Sequence, residues 1–518
     1  MLYFHWIFLL LYVLIIVASM LTVLMDNRQP AKTMAWMMVL VFLPVVGIIL
    51  YFFFGQNTRK EKMISENSLD QLTKRTMFEY VEQKNLTIPE EHRTLVKQFT
   101  LQNWAFPFKD NSVDIFTDGY QMFHALLRDI SKATHHIHLD TYIFADDALG
   151  NLIADALMER AKAGVEVRVV YDDVGCWKVD GAFFERMREA GIDVHAFMPV
   201  KFPAFTSKVN YRNHRKLCVI DGLTGYIGGM NIATRYVKGR QAKNRSVGRA
   251  SDSISRTATL PLGEGQGERP TAPPSPWRDT HLRIRGASVY GIQRAFLVDW
   301  YFVDRTLITN RKYYPPLTSE GICNPRHFSP LTSHSSPLIQ IVTSSPITPW
   351  PDIMQGYVRI LLEAKHYVYI ETPYFLPTEP VFFAMQTAVL AGVDVRLMVP
   401  YTTDTRLVEW ASRSYVRQAA ETGVKVYLYK TGFNHSKLLV TDDNLCTVGS
   451  TNVDFRSFEN NFEGNAFICD HDIALQMKAI FETDMSNSIL YDDLEQKKRP
   501  AFVERFLESI VRLLSPLL

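Results

Sequence analysis

Cysteine is scarce in this 518-residue chain, and net charge is nearly absent. The five cysteines, Cys176, Cys218, Cys323, Cys446 and Cys469, form no C-x-x-C pair and show no metal-ligand spacing. The expectation is a reduced catalytic domain with no zinc, other metal or cofactor. A formal charge of +2 supplies no field of the strength that nucleic-acid binding uses, which argues against that class of partner. Two long stretches lack charge: Leu2–Met25 has none beyond His5, and Thr33–Thr58 has none at all. Each exceeds the roughly 20 apolar residues that span a bilayer as a helix. A cleaved signal peptide would need a basic n-region and a shorter apolar run. Arg59, Lys60 and Lys62 follow the second run, against Arg28, Lys32 and Asp26 in the connecting loop. The positive-inside bias therefore favours a membrane hairpin with both ends cytoplasmic. Aromatic residues are missing between Lys238 and Pro276, where Ser, Thr, Gly, Arg and Pro dominate. Such a segment cannot bury enough apolar surface to offset its ordering entropy and reads as a disordered surface insertion. Deleting residues from about 240 to 275 is expected to leave folding and activity largely intact, because loop-closure entropy grows slowly with length.

What is present is a doubled string. His214-Arg-Lys216-Leu-Cys-Val-Ile-Asp221 and His435-Ser-Lys437-Leu-Leu-Val-Thr-Asp442 are each H-x-K-x4-D, followed at equal distance by Gly228-Gly229-Met-Asn231 and Gly449-Ser450-Thr-Asn452. With each fixed position matched about one time in twenty, one copy is expected in roughly one random chain in ten thousand. The apolar runs after each lysine read as short buried strands. Side chains alternate along a strand, so the histidine and lysine share one face while the aspartate points from the other, where it is placed to anchor the strand end and its turn. Two imidazoles and two ammoniums suit a single anionic group.

The repeat extends further. Ile137-His-Leu-Asp140-Thr-Tyr142-Ile-Phe144 aligns with Val368-Tyr-Ile-Glu371-Thr-Pro-Tyr374-Phe375, and Ala163-Gly-Val-Glu-Val-Arg168 with Ala391-Gly-Val-Asp-Val-Arg396. Strand, helix (Leu152–Ala163; Val381–Ala391) and strand alternate in both halves, an α/β pattern. Two copies are too few for a solenoid and predict two homologous domains about a pseudo-two-fold axis, one motif from each meeting at a shared site.

These motifs resemble the phospholipase D superfamily, whose signature is the doubled H-x-K-x4-D followed by G-[SG]-x-N. Arg28-Gln-Pro-Ala-Lys32-Thr-Met-Ala-Trp36, Pro276-Trp-Arg-Asp-Thr-His281, and Asn452-Val-Asp454-Phe-Arg456-Ser457 with Asn461-Phe-Glu463 are more narrowly similar to bacterial cardiolipin synthases. The implied fold is two phospholipase D-like α/β domains behind a transmembrane hairpin. Residues 1–58 would hold the hairpin, 59–109 a connector, and 110–335 the first domain with its insertion at about 238–276. The second domain would span 336–485 and a C-terminal amphipathic helix 486–518, lying on anionic lipid or docked on the catalytic core. In the family the segment before Pro276 is much shorter, so the insertion is a departure.

The resemblance implies phosphatidyl transfer between two phosphatidylglycerol molecules at a bacterial inner membrane, through a phosphohistidine; the alternative is a phospholipase D-type phosphodiesterase hydrolysing phospholipid, or a membrane-tethered nuclease. His214 would be the nucleophile and His435 the acid/base, although the symmetry of the sequence allows the reverse. Lys216, Lys437, Asn231 and Asn452 would stabilise the phosphoryl oxygens. Asp221 and Asp442 complete the catalytic motifs. Glu463 and Asp279 would each orient one histidine, in an order the sequence leaves open, and Ser450 would add a hydroxyl near the phosphate. Tyr142, Tyr374, His135, His136 and His138 read as core or strand residues outside the site.

Overall fold

The computed structural model describes residues 2–25, 30–51, 86, 88–200, 211–238, 277–316, 336–495, 502–513 and 515. The expected insertion from residue 239, the connector before residue 88 apart from residue 86, Cys323 and the basic run Lys497–Arg499 lie outside them.

Two mixed sheets carry the fold. In the first half the strands are β1 (Asn111–Phe116), β2 (His136–Thr141), β3 (Glu166–Asp172), β4 (Asp193–Phe197), β5 (Arg212–Asn213), β6 (Lys216–Ile220), β7 (Thr224–Gly228) and β8 (His281–Gly286). Seven of them form a sheet in the order β1-β8-β7-β6-β2-β3-β4. The second half has β9 (Leu338–Ser344), β10 (Tyr367–Glu371), β11 (Phe375–Leu376), β12 (Asp394–Pro400), β13 (Lys425–Tyr429), β14 (Leu438–Thr441), β15 (Leu445–Gly449), β16 (Val453–Asp454), β17 (Asn461–Cys469) and β18 (Ser488–Leu490). Its sheet runs β9-β17-β15-β14-β10-β12-β13-β18, the same order with one strand added. That strand, β18, carries the second sheet beyond the boundary expected at residue 485.

Alternation along the strands explains how the halves meet. Leu217 and Val219 of β6, with Leu438 and Val440 of β14, enter one shared core, whereas Cys218 and Ile220, and Leu439, enter the separate core of their own half. Between the sheets lie α4 (Val289–Asp304) and α6 (His471–Ser486), contributing Val289, Ile292, Met477 and Phe481 to the shared core. Each such apolar side chain contributes about 1.5–3 kcal/mol relative to exposure. The end of the expected connector is also structural. Helix Arg93–Asn103 places Leu95 and Phe99 in the core of the second half, with Phe99 4.5 Å from the Phe467 ring.

At the N-terminus, α1 (Leu2–Met25), α2 (Pro30–Phe42) and α3 (Pro44–Leu50) bury Val23, Leu40 and Tyr51 against one another. They expose a long series of apolar side chains, among them Trp6, Leu10, Leu14, Leu21, Met38 and Val45. The side chains of residues 2–5, 8 and 9 are outside the description, and among the described residues no helix is long and apolar enough to cross a membrane. At the C-terminus, α7 (Phe502–Arg512) docks on α5 (Arg406–Glu421). Glu508 pairs with Arg417 at 2.6 Å, Arg512 stacks 4.2 Å from the Tyr415 ring, and Val511 is buried. Phe506, Leu507, Ile510 and Leu513 remain exposed.

Candidate active site

His214 and Lys216 enter β6 at the end where β2 finishes, Lys216 lying opposite Thr141. His435 and Lys437 enter β14 at the end where β10 finishes, Leu438 lying opposite Glu371. Both motifs meet where backbone from one half pairs with backbone from the other. Strand β5 runs parallel to the start of β17, with Arg212 beside Asn461 and Asn213 beside Phe462. A matching bridge joins Arg278 to Asn434. Through these contacts His214 donates its backbone N–H to the Phe462 carbonyl at 2.9 Å, and His435 donates to the Arg278 carbonyl at 2.6 Å.

The residue after each of those carbonyls is the acid. Glu463 lies 3.0 and 3.2 Å from His214 Nδ1, and Asp279 lies 2.6 Å from His435 Nδ1. The pairing is therefore crossed: each histidine is held by a carboxylate from the opposite half. A carboxylate only accepts, so it fixes the proton on Nδ1 and turns the lone pair to Nε2 in both rings. Asn213 and Asn434, which precede the histidines, accept backbone N–H bonds from Arg215 (3.1 Å) and Ser436 (2.9 Å), pinning the same turn in both halves. Sequence reasoning passed over both asparagines, although the doubled Asn-His-x-Lys was visible.

Burial sets the electrostatics. It pushes His214 down to about 4, against the opposing pull of Glu463, and holds His435 well below its usual value, helped by Lys437 and Lys216. Burial also pushes Lys216 down to about 7 and Lys437 to about 8, partly offset by Glu463 and Asp279 respectively. Burial alone would raise Glu463, but His214, Lys216 and Ser450 hold it below the usual carboxylate value. Asp279 is raised by burial to about 6, opposed by Lys437. Each lysine ammonium donates to the carbonyl of its own histidine. Two neutral rings and two easily deprotonated ammoniums await a charge that would draw protons in.

Several expected members take other places. Asp221 and Asp442 do not join the site. Each ends its strand at positive φ and accepts three backbone N–H bonds, from Thr134, His135 and His136 or from Lys365, His366 and Tyr367, at 2.7–3.0 Å. They staple a hairpin corner to the start of β2 or β10, about 16 Å of extended chain from the lysine. Ser450 does not face outward as a phosphate donor. Its hydroxyl donates to Glu463 and accepts from Gly464 N–H at 3.0 Å, steadying the carboxylate. At the equivalent Gly229 a Cβ would stand 2.1 Å from Asp279 Oδ1, so the carboxylate itself fills the space of a serine. Asn231 accepts from Ile143 N–H at 3.1 Å and donates to Tyr236 Oη at 2.9 Å, while Asn452 donates to Asp454 at 3.0 Å. The Asn231 amide is thus committed to the protein, whereas Asn452 Oδ1 is buried with no hydrogen-bond partner among the described residues.

The walls are aromatic. Tyr142, expected outside the site, packs edge-on to His214 with 4.9 Å between ring centres and lies 5.3 Å from Lys216 Nζ. Trp277 and Phe433 flank His435 at 5.2 and 5.9 Å. Tyr374 instead donates to Asp404 at 2.9 Å, and His136 and His138 are buried about Gln293. Among the described residues no group of three or more His, Cys, Asp or Glu is placed to hold a metal ion.

Comparison with known proteins follows the same lines. The sequence profile described as cardiolipin synthase, PLD-like domain matches residues 126–246 and 357–485, and that described as phospholipase D-nuclease N-terminal matches residues 6–56. The chain is 36% identical to the major cardiolipin synthase of Bacillus subtilis (strain 168), with 98% of both chains covered. It is 35% identical to cardiolipin synthase 1 of Staphylococcus epidermidis, over 95% of this chain and 93% of that protein. Among solved structures, phosphatidylserine synthase from Haemophilus influenzae superposes with a TM-score of 0.55 at 14% identity, covering 78% of this chain and 95% of that one. That likeness concerns the fold.

Proposed function

The chain belongs to the cardiolipin synthase family of phospholipase D-like proteins, and from that premise we propose that it joins two phosphatidylglycerol molecules into cardiolipin and glycerol. The crossed histidine–carboxylate pairs carry this reading. Two rings, each with Nε2 available and its tautomer fixed, suit a transfer in two displacements. His214 Nε2 attacks phosphorus, the bond to the glycerol headgroup breaks, and His435 delivers a proton to the leaving alkoxide. His435 then takes the proton from a hydroxyl of the second phosphatidylglycerol, which attacks phosphorus and expels His214. Lys216 and Lys437 stabilise the charge on the equatorial oxygens in both transition states. The diester's own charge raises both ammoniums and His435 toward their protonated forms as it binds. The two histidines keep equivalent geometry, so their order rests on family likeness.

A membrane setting belongs to the same reading. The first 58 residues carry two uncharged runs, and α1 to α3 expose apolar side chains along their length. Trans-bilayer seating of this hairpin in a bacterial inner membrane, with the catalytic halves cytoplasmic, gives that surface a solvent it matches. The exposed face of α7, Phe506, Leu507, Ile510 and Leu513, would rest in the lipid interface while Glu508 and Val511 hold the helix to the protein.

Product analysis with pure phosphatidylglycerol in vesicles tests the reaction. Cardiolipin and glycerol in equal amounts support it, and phosphatidic acid would assign water as the acceptor. An analogue with a good leaving group separates the histidines. Mass spectrometry is expected to find a phosphorylated His214 in the His435→Ala chain and no adduct in the His214→Ala chain. Adduct on His435 would reverse the roles.

A further inference from the structure

Behind each histidine lies a buried polar set that the transfer steps do not use. In the first half, Asp140 at the end of β2 and Asp299 on α4 are both fully buried. Arg215 donates through Nη1 to both oxygens of Asp299, and through Nε to the Glu463 carbonyl at 2.9 Å. Asp140 sits against Asp299 and accepts from Asn213 Nδ2 at 2.8 and 3.0 Å. In the second half, Glu371 occupies the same register on β10, opposite Leu438 as Asp140 is opposite Leu217. Asp484 on α6 takes the place of Asp299, and Arg278 Nη2 lies 2.7 Å from Asp484 and 3.7 Å from Glu371. Asn434 and Ser436 lie beside Glu371, although neither Glu371 oxygen has a hydrogen-bond partner among the described residues and Asn434 Nδ2 donates to Met398 Sδ at 3.5 Å.

Each half thus encloses two carboxyl groups around one guanidinium. With both acids ionised the set would hold an uncompensated negative charge out of contact with water, so one proton stays on each pair. Asp299 and Asp484 take the contact with the arginine, which leaves Asp140 and Glu371 to carry the proton. Burial, then the neighbouring carboxylate, raises Asp140 well above the usual range and Glu371 to about 8. The arginines come from different segments of the chain. Arg215 is the middle residue of His-x-Lys and faces Phe462, whereas Arg278 precedes the acid and Ser436 holds the place of Arg215. The halves reach one charge balance by two sequence routes.

We propose that Asp140 and Glu371 are positioning residues of the transfer reaction, each seating the asparagine turn that aims the adjacent histidine. In the first half the link is the Asn213–Asp140 hydrogen bond below the His214 turn; in the second half it is the packing of Glu371 beside Asn434 below the His435 turn. Neither acid touches substrate. The inference rests on the reading of His214 and His435 as the reacting groups, which the product assay of the unaltered chain tests separately.

An amide is the isostere of a protonated acid, and this separates the idea from a simple need for bulk. In the full chain in detergent, Asp140→Asn and Glu371→Gln are expected to keep kcat within about threefold. Each should also remove one carboxylic-acid C=O stretch from the infrared spectrum at neutral pH. Asp140→Ala and Glu371→Ala should lower kcat about 100-fold with KM within about twofold, the signature of a reacting group displaced by a fraction of an ångström. An amide variant as inactive as its alanine counterpart would overturn the proposal, as would a folded alanine variant with full kcat, or spectra unchanged by the amide substitutions. If the alanine variants do not fold, the amide variants and their spectra still decide. The infrared result is independent of whether cardiolipin is the product.

Discussion

Asp279 of the first half lies 2.6 Å from Nδ1 of His435 in the second. Glu463 of the second half stands in the same relation to His214 of the first. Neither half owns a complete histidine–acid pair, so the chemistry exists only where the two sheets join.

Replacing either acid by its amide should be costly without loosening substrate. In Glu463→Gln or Asp279→Asn the amide can donate to Nδ1 and turn the ring into the wrong tautomer. A fall in kcat of about 10³–10⁴ with little change in KM is expected, by analogy with other oriented histidines. Steady-state kinetics on phosphatidylglycerol vesicles check this, and full activity in either variant would remove the acid from the mechanism.

Gly229→Ala should disable the enzyme although it adds one methyl group. The new Cβ would lie 2.1 Å from Asp279 Oδ1, and the carboxylate must move off His435 to make room. Loss of kcat by about 100-fold or more is expected, together with a lower melting temperature. Ser450→Gly, which copies the first-half sequence into the second, removes the hydroxyl that donates to Glu463 and accepts from Gly464 N–H. It should cost about 10- to 100-fold, matching the roughly 1.5–3 kcal/mol of a lost hydrogen bond to a charged group.

Substrate binding should take up protons from buffer. Lys216 is pushed to about 7 and Lys437 to about 8 by burial, so both are partly deprotonated at pH 8. An anionic diester between them raises both values, and protons flow in. Uptake by the lysines should be large near pH 8 and vanish near pH 6, where both ammoniums are already charged, leaving only the share of His435. Calorimetry of a non-reactive diester analogue in buffers of different ionisation enthalpy measures it, and Lys216→Met should remove the larger share at pH 7, where Lys216 is about half deprotonated and Lys437 mostly protonated.

Acid should weaken the fold over a defined window. Burial pushes His136 and His281 down to about 4 from an ordinary 6.5. Between those values the unfolded chain binds protons that the folded chain does not, so stability present above pH 6.5 is lost as pH falls toward 4. Asp279, raised to about 6, acts in the opposite sense and offsets part of the loss. Asn465 holds the position equivalent to His281 in the second half, two residues after the acid. His281→Asn should therefore fold and lose less melting temperature between pH 7 and pH 5, by a few degrees. An unchanged slope would show that His281 is not buried in its neutral form.

The repeat and its α/β alternation were legible because each half writes its strands as short apolar runs with the same turn residues, and because both histidines and lysines recur at fixed spacing. Glu463 and Asp279 could be named as the orienting acids, but not assigned. Their crossing depends on the pairing of β5 with β17, which joins residues about 250 positions apart and leaves no local pattern. The strand-end aspartates looked catalytic as part of the motif, while the alternation along β6 already turned Asp221 away from His214. Asp140 and Glu371 were aligned in the repeat, yet an acid inside an apolar strand gives no sign of its partner until the packed helix brings Asp299 or Asp484 beside it. Tyr142 was read as a core residue, which in sequence is indistinguishable from a wall of the site.

The pairing of β5 with β17 also governs traffic. Because backbone hydrogen bonds weld the two halves at the reacting groups, the enzyme has no hinge there with which to clasp and release its lipids. Departure of the first alcohol and arrival of the second must take place over a fixed floor, so the protein works as a stationary anvil, and any gating falls to the loops and to the lipids themselves.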